Sequence, residues 1–175
     1  ILSVSFILLL ILFRSLLIPL KTILVNLMST GAAYGILVLI FQYGGGRLLF
    51  GSETNSIHIT IPIVLFVTLY ALSLDYEIFI LHRIKEQYLA HHDNEKAIFE
   101  GMEHTARIVT YAALIMIVVF GAFSFGDVAQ IKQIGVGLAA SIFLDATLVR
   151  LILIPASMKL MGRWNWWLPF QKTKR

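Results

Sequence analysis

A long apolar run extends from Ile57 to Leu81, and an acidic and aromatic cluster, Ser73 to Phe79, lies inside it. A run of this length predicts a membrane-spanning helix, because crossing the hydrocarbon core takes about 20 predominantly apolar residues. A carboxylate at membrane depth costs roughly 2.5 to 3.5 kcal/mol on insertion scales. Asp75, in the middle of the cluster, therefore indicates a functional site rather than filler.

The composition of the whole chain also indicates a membrane protein. Its 175 residues are 58% hydrophobic and 14% charged, whereas soluble domains average about 45 to 50% apolar and about 25% charged residues. We therefore predict an all-α, polytopic bundle of transmembrane helices. The sequence has no cysteine, which excludes disulfides, thiolate metal sites and thiol catalysis. The net charge of +4 does not predict nucleic-acid binding, because the basic residues sit at the ends of apolar segments and fit contacts with membrane lipids.

The apolar segments predict about five spans in one domain, residues 1–175, at residues 1–13, 20–41, 57–82, 108–125 and 134–154. The first segment is too short to cross a membrane by itself, and the chain begins at Ile1 inside an apolar run. We therefore expect a piece of a longer protein. Small residues in the second and fifth spans, among them Gly31, Gly35, Gly135 and Gly137, are typical of close helix packing in lipid.

Three connecting segments complete the predicted topology. The segment from Arg14 to Lys21 has two basic residues around a proline, which predicts a short cytoplasmic turn. Residues 43–55 are rich in glycine, lack a phosphate-binding pattern, and are placed outside. Residues 94–106 predict an amphipathic helix, opened at Asp93, that lies on the inner membrane surface as an element separate from the fourth span.

The basic residues set the predicted orientation, since cytoplasmic segments carry an excess of Lys and Arg. This places the N-terminus outside and the C-terminal tail, residues 159–175, in the cytoplasm, where Trp164, Trp166 and Trp167 form an interfacial anchor. The residues assigned to the cytoplasmic side are Arg14, Lys21, Arg83, Lys85, Lys96, Arg107, Lys159, Arg163, Lys172, Lys174 and Arg175, against Arg47 and Lys132 outside.

Helical geometry separates the two acidic residues of the central cluster. Glu77 is rotated by about 200° from Asp75 at 100° per residue, so the two carboxyls do not form one site. We expect Glu77 to meet Arg83 or a neighbouring helix. Asp75 lies past the midplane, about 21 Å along the helix from Ile61. A carboxyl there can carry a proton, with the Tyr76 hydroxyl as a donor; the alternative, a carboxyl that only fixes helix packing, stays open.

The last span contains a second acidic residue, Asp145, near mid-membrane, and Arg150 follows it. Five residues correspond to about 140° around an α-helix, so we expect no direct pair between them. A functional and a structural role for Asp145 are both open, and Arg150 is assigned to a supporting polar network. Thr110 and Tyr111, at the inner end of the fourth span, are candidate hydrogen-bond partners, although ordinary packing is the simpler interpretation.

Metal and enzyme chemistry are not expected. The histidines at 91, 92 and 104, with Asp93, lack a metal-ligand spacing and fit a solvated loop. No nucleophile, base or metal-ligand set converges at one depth of the predicted bundle. We therefore expect no cofactor, no metal and no enzymatic activity.

Several motifs together resemble one known family. They are Leu74-Asp75-Tyr76-Glu77 with the basic exit to Glu86, Glu95-Lys96-Ala97, Ile131 to Gly137, Leu144-Asp145-Ala146-Thr147-Leu148-Val149-Arg150, Pro155 to Met158, and Gly162 to Pro169. In this order they resemble the carboxy-terminal half of MMPL (mycobacterial membrane protein large) proteins, within the resistance-nodulation-division superfamily. His82, where relatives often have a small residue, is a minor departure.

The resemblance implies a proton-driven exporter of lipids or other hydrophobic compounds in a bacterial plasma membrane. Such transporters have twelve helices in two halves, and these five spans correspond to helices eight to twelve. Asp75 and Tyr76 match the proton-relay pair of the tenth helix, whose partner lies in the amino-terminal half of the same protein. The alternative on the same fold is a non-transporting scaffold or a lipid- or sterol-sensing protein.

Overall fold

The computed structural model describes residues 1–43, 45, 56–126 and 128–166, and these form helices without a strand. The α-helices are α1 (Leu2–Phe13), α2 (Leu17–Phe41), α3 (Thr60–His91), α4 (Asn94–Ala122), α5 (Ala129–Leu144) and α6 (Ile154–Met161). A π-helical segment (Asp145–Leu153) joins α5 to α6, and 3-10 turns cover Phe123–Phe125 and Gly162–Trp166. The predicted all-α fold is confirmed.

Four helical stretches are long and apolar enough to cross a membrane: Leu17–Phe41, Thr60–His91, Thr105–Phe125 and Ala129–Met161. α1 is apolar but shorter, as its sequence predicts. A bundle of this kind has its place in a membrane. Most of the predicted outer loop, Asp127, and the tail from Trp167 onward lie outside the described residues.

The predicted break between an amphipathic helix and the fourth span is wrong, because α4 runs without interruption from Asn94 to Ala122. Its first turn is capped by Asp93, whose carboxylate accepts from the backbone N–H groups of Glu95 and Lys96. No proline lies between these ends to stop the helix. The apolar face of its first half, with Ala97 and Ile98, is buried in the core beside Ile84 of α3, so this half packs on helices of the bundle.

The predicted turn from Arg14 to Lys21 is shorter than expected. Arg14 ends α1 in the left-handed backbone conformation, with φ of 49°, and α2 already begins at Leu17. Pro19 falls in the first turn of α2, where its missing N–H would have no intrahelical partner. Lys21 is therefore part of the helix, and its side chain is buried in the bundle.

The small residues behave differently in the two spans that contain them. A Cβ at Gly135 would meet the backbone oxygen of Phe120 at 2.7 Å, and one at Gly137 would meet a Leu65 methyl at 2.8 Å. These two positions therefore allow α5 to approach its neighbours, as predicted. A Cβ at Gly31 or Gly35 would have nothing within 4 Å, so these two glycines pack against no helix of the described chain.

The apolar core is divided into two clusters. One contains Phe13, Ile18, Leu81, Ile84 and Met158 among its members. The other includes Leu37, Leu65, Leu69, Val136 and Ile142. Along α2, α3 and the last helical stretch, a set of buried or half-buried polar side chains lies near the boundary between the two clusters.

Candidate functional site

Six side chains from three helical stretches form this polar set, which we call the buried polar layer. α2 contributes two, α3 contributes two, and the π-helical segment contributes two: Thr22, Asn26, Ser73, Glu77, Asp145 and Arg150. On α2 and on α3 the two members are four residues apart, which places them on one face of the helix. The three pairs converge because each of these faces points into the bundle.

Glu77 is the most deeply buried acid of the layer, at 1% exposure. The Thr22 hydroxyl donates to its Oε1 at 2.6 Å, and the Asn26 amide donates to its Oε2 at 3.3 Å. Of the two expected partners for Glu77, the neighbouring helix is therefore the one found. Arg83 instead pairs with Glu86, 2.9 Å away on the surface of α3.

Asp145 and Arg150 form a direct ion pair, so the expectation that they do not meet is wrong. Arg150 donates from Nη2 to Oδ2 of Asp145 at 2.7 Å, and both side chains are nearly fully buried. The cause is the π-helical segment, in which each N–H bonds to the carbonyl five residues earlier. Residues five apart then lie one above the other, and the angle calculated for an α-helix does not apply.

The π-helical segment ends at Leu153, two residues before Pro155 in α6. Proline has no N–H, and its ring crowds the carbonyl of the residue four positions earlier in an α-helix. A wider turn before it relieves this crowding. The position of the ion pair is therefore linked to Pro155.

Ser73 and Tyr76 connect α3 to the other helices of the layer. The Ser73 Oγ lies 2.8 Å from Oδ1 of Asn26 and 2.9 Å from Oδ1 of Asp145. The guanidinium of Arg150 stacks over the Tyr76 ring, 4.4 Å from its centroid. A cavity of about 20 Å³, lined by all five of these side chains among others, is large enough for one water molecule.

Asp75 lies apart from this layer. Its side chain is exposed on the outer face of α3, as is that of His82, whereas Glu77 is buried. The prediction that the carboxyls of Asp75 and Glu77 do not form one site is thereby confirmed. Within the described part of the chain, Asp75 forms no hydrogen bond or ion pair.

The two predicted candidates on α4 also lie away from the carboxyls. Tyr111 is 62% exposed, and Thr110 is exposed as well. Thr110 and Arg150 border a second small cavity. Between described residues, neither Thr110 nor Tyr111 reaches an acid of the buried polar layer.

The residues around the loop before α4 have structural partners. His91 lies 3.2 Å from Glu100, and Asp93 caps α4. At the end of the chain, the Asn165 amide donates to the carbonyls of Met158 and Gly162 at 2.6 and 2.9 Å. The Asn94 amide of α4 also donates to the Met158 carbonyl, at 3.1 Å, and this bond holds the end of α6 near the start of α4.

Sequence reasoning did not identify Thr22, Asn26 or Ser73 as part of the site. A signal was present, because polar residues recur four apart inside two apolar spans. That spacing marks one inward face on each helix. Which faces meet depends on the packing of the bundle, and only the structure gives it.

The sequence as a whole was also compared with known proteins. A sequence model described as the MMPL family matches residues 1–175, the entire chain. The chain belongs to the MMPL family. The resemblance found in the motifs is therefore confirmed.

Curated MMPL relatives align with nearly the whole of this chain. The heme uptake protein MmpL11 of Mycobacterium tuberculosis is 45% identical over 166 residues, 95% of this chain and 17% of the relative. The mycolic acid-containing lipids exporter MmpL11 of Mycolicibacterium smegmatis is 42% identical over 166 residues, again 95% of this chain and 17% of the relative. The trehalose monomycolate exporter MmpL3 of Mycobacterium tuberculosis is 37% identical over 171 residues, 96% of this chain and 18% of the relative.

This MMPL chain therefore spans less than a fifth of the length of these relatives. The aligned part includes Asp75, Tyr76 and the buried polar layer. What a whole MMPL protein transports involves many residues outside the aligned part, so activity and substrate are treated below as proposals.

Proposed function

We propose that this chain is part of the membrane domain of a proton-driven transporter, in which Asp75 and Tyr76 carry the proton. The substrate class is a lipid or another hydrophobic or amphiphilic compound, and no enzymatic step is involved. Relatives named as lipid exporters and as a heme uptake protein support a hydrophobic substrate. The distribution of basic residues supports a bacterial plasma membrane protein with the N-terminus outside and the C-terminus in the cytoplasm.

The observation that carries this proposal is the position of the Asp75 carboxyl. It is exposed on a face of α3 that also exposes Val67 and Phe79, which are 44% and 37% accessible. An ionisable group facing lipid is costly, so such groups in membrane proteins face protein or a water-filled path. We infer that this face is covered by helices of the whole protein that lie outside this chain.

A partner helix at this face would give Asp75 what a proton carrier needs. A carboxyl between two helices can be reached by water from one side or the other, and the hydroxyl of Tyr76, the next residue on α3, is its proposed donor. In this chain that hydroxyl lies 3.8 Å from Sδ of Met116 on α4. The membrane potential supplies about 2.3 kcal/mol per charge for each 100 mV. Passage of protons therefore provides the free energy that moves the substrate.

Transport by the whole protein in lipid vesicles tests this function. The probes are trehalose monomycolate and heme, with a pH-sensitive dye inside the vesicles. We expect Asp75→Asn to abolish both proton uptake and substrate movement while the protein still inserts. Tyr76→Phe should lower both rates. Glu86→Gln, an exposed acid on the same helix, is the matched control and should transport normally.

Two results would contradict the proposal. Asp75→Asn with wild-type transport would remove Asp75 from the proton path. The second result combines two observations: the wild-type protein takes up no protons, and Asp75→Asn only lowers the thermal stability. Together they would favour the scaffold or lipid-sensing alternative. The two results are distinguished by measuring proton uptake and unfolding temperature on the same samples.

A further inference from the structure

The Ser73 hydroxyl faces two acceptors with one hydrogen. Its Oγ lies 2.8 Å from Oδ1 of Asn26 and 2.9 Å from Oδ1 of Asp145. A serine hydroxyl donates one hydrogen bond. If Asp145 is ionised and Asn26 presents its carbonyl oxygen to Ser73, one of these two short contacts has no hydrogen between its oxygens.

Turning the Asn26 amide by 180° supplies a hydrogen to the contact with Ser73 but removes the one from the contact with Glu77. The amide nitrogen then donates to Ser73, and Ser73 donates to Asp145. The amide oxygen now faces Oε2 of Glu77, a contact of 3.3 Å between the heavy atoms. If Glu77 is ionised, this contact lacks a hydrogen. With both acids ionised, either orientation of the amide therefore leaves one contact between two acceptors.

One additional proton satisfies every contact, and it fits at either end. In the first arrangement the proton is on Oδ1 of Asp145, which donates to Ser73, which donates to Asn26, which donates to Glu77. In the second it is on Oε2 of Glu77, which donates to the turned Asn26, and the series runs to an ionised Asp145. We propose that Glu77 and Asp145 form a binding site for a single shared proton, bridged by Asn26 and Ser73.

The outer oxygens of both acids are occupied in the same way in the two arrangements. Thr22 donates to Oε1 of Glu77, and Arg150 donates to Oδ2 of Asp145. Passing from the first arrangement to the second, Asp145 loses a proton and Glu77 gains one. The Ser73 hydroxyl hydrogen turns from Asn26 to Asp145, the Asn26 amide turns by 180°, and the number of hydrogens stays constant.

Basic and acidic groups from several helices face the two acids. Glu77 interacts electrostatically with Lys21 of α2, with Asp145 and with Tyr70 of α3. Two carboxylates that interact in a buried region disfavour ionisation of both. Arg150 pairs with Asp145 and stacks on Tyr76, and α4 contributes the uncharged Met116 to the lining.

This site adds a second proton-binding position to the proposed function. It rests on the proposed function only for the link between proton binding and transport. The cavity of about 20 Å³ touches Ser73, Asp145 and also Tyr76, so the shared proton lies close to Tyr76 of the proposed relay, whereas Asp75 lies on the outer face of α3. The Nη1 atom of Arg150 is buried and has no hydrogen-bond partner among the described residues. A water molecule in this cavity would give it a partner.

Infrared difference spectroscopy of the whole protein in lipid tests for the shared proton. The carbonyl band of a protonated carboxylic acid is compared between wild-type protein and variants at neutral pH. We expect Glu77→Gln and Asp145→Asn each to remove a band equivalent to one protonated carboxyl, because each amide takes the place of the protonated acid. Glu103→Gln, an exposed acid on α4, should leave the band unchanged.

Ser73→Ala gives a second test that changes neither acid. It removes the bridging hydroxyl with little change in volume, and we expect the band to disappear or shift. A band that survives either Glu77→Gln or Asp145→Asn, a band unaffected by Ser73→Ala, or a wild-type protein without the band would each overturn the shared proton. Normal transport by Asp75→Asn with the band intact would overturn only the proposed function.

Discussion

Arg150 reaches back five residues along one helical stretch to Asp145, with 2.7 Å between its Nη2 and the carboxylate Oδ2. The contact exists because the turns between them are π-helical rather than α-helical. π-helical turns are rare and occur frequently at functional sites. The local backbone thus assembles a buried ion pair that an ordinary helix with the same sequence spacing would keep apart.

Replacing Arg150 by methionine should destabilise the bundle strongly. The change leaves the buried Asp145 without its ion partner, and breaking a buried pair from one side costs roughly 3 to 5 kcal/mol. We expect the lower end of that range, because Ser73 still contacts the carboxyl. Denaturant unfolding in detergent micelles gives the free energy of unfolding.

The surface pair Lys159–Glu95 is the matched control for this change. Both of its side chains are well exposed, 67% and 71%, so Lys159→Met should cost at most about 1 kcal/mol. The double variant Asp145→Leu with Arg150→Met should recover most of the loss, since neither charge then remains buried. Equal effects of Arg150→Met and Lys159→Met would contradict this account of the pair.

The Thr22 hydroxyl should contribute measurably through its bond to Glu77. Thr22→Val keeps the shape but removes the donor at 2.6 Å from Oε1, and an unsatisfied buried acceptor costs about 1 to 3 kcal/mol. Thr22→Ser retains the hydroxyl and should lose clearly less. The same unfolding measurement checks this, and a larger loss in the serine variant than in the valine variant would show that the methyl contact matters more than the hydrogen bond.

The sequence predicted the class of fold well because apolar runs and their charged ends are local features. The spans and the start of the helix at Asp93 follow directly from composition and capping chemistry. The continuity of α4 was missed, because its amphipathic first half fits a membrane surface as well as a groove between helices. Only the packing of Ala97 and Ile98 against α3 decides between the two.

The candidate site was only partly predictable for a similar reason. The cost of a carboxyl at membrane depth marks Asp75 and Asp145, whatever surrounds them. The partners of Glu77 lie on α2, more than fifty residues away in the chain, and nothing local specifies that meeting. The pair formed by Arg150 depends on π-helical turns, and a calculation with a uniform 100° per residue does not describe such turns.

The cap at Asp93 should matter to α4. Its Oδ1 accepts from the backbone N–H groups of Glu95 and Lys96 at 2.9 and 3.3 Å. Asp93→Ala removes this acceptor and should cost about 0.5 to 2 kcal/mol, whereas Asp93→Ser should retain most of the stability. Hydrogen exchange of the first turn of α4 reports the effect locally, and equal exchange rates in the two variants would show that the cap is not what holds this turn.

Gly101 sets the distance between α3 and α4. A Cβ at this position would lie 2.8 Å from both the Cα and the Cγ1 of Ile84, and the backbone atom cannot move without shifting α3. Gly101→Ala should therefore destabilise the protein by about 1 to 3 kcal/mol through overpacking. Gly121→Ala on the same helix has nothing within 4 Å of the new methyl group and should gain roughly 0.5 to 1 kcal/mol from helix propensity. We expect the changes in unfolding free energy of these two variants to have opposite signs, because the substitution and the helix are the same and only the neighbour differs. A gain at both positions would mean that α3 and α4 are not in close contact at Ile84.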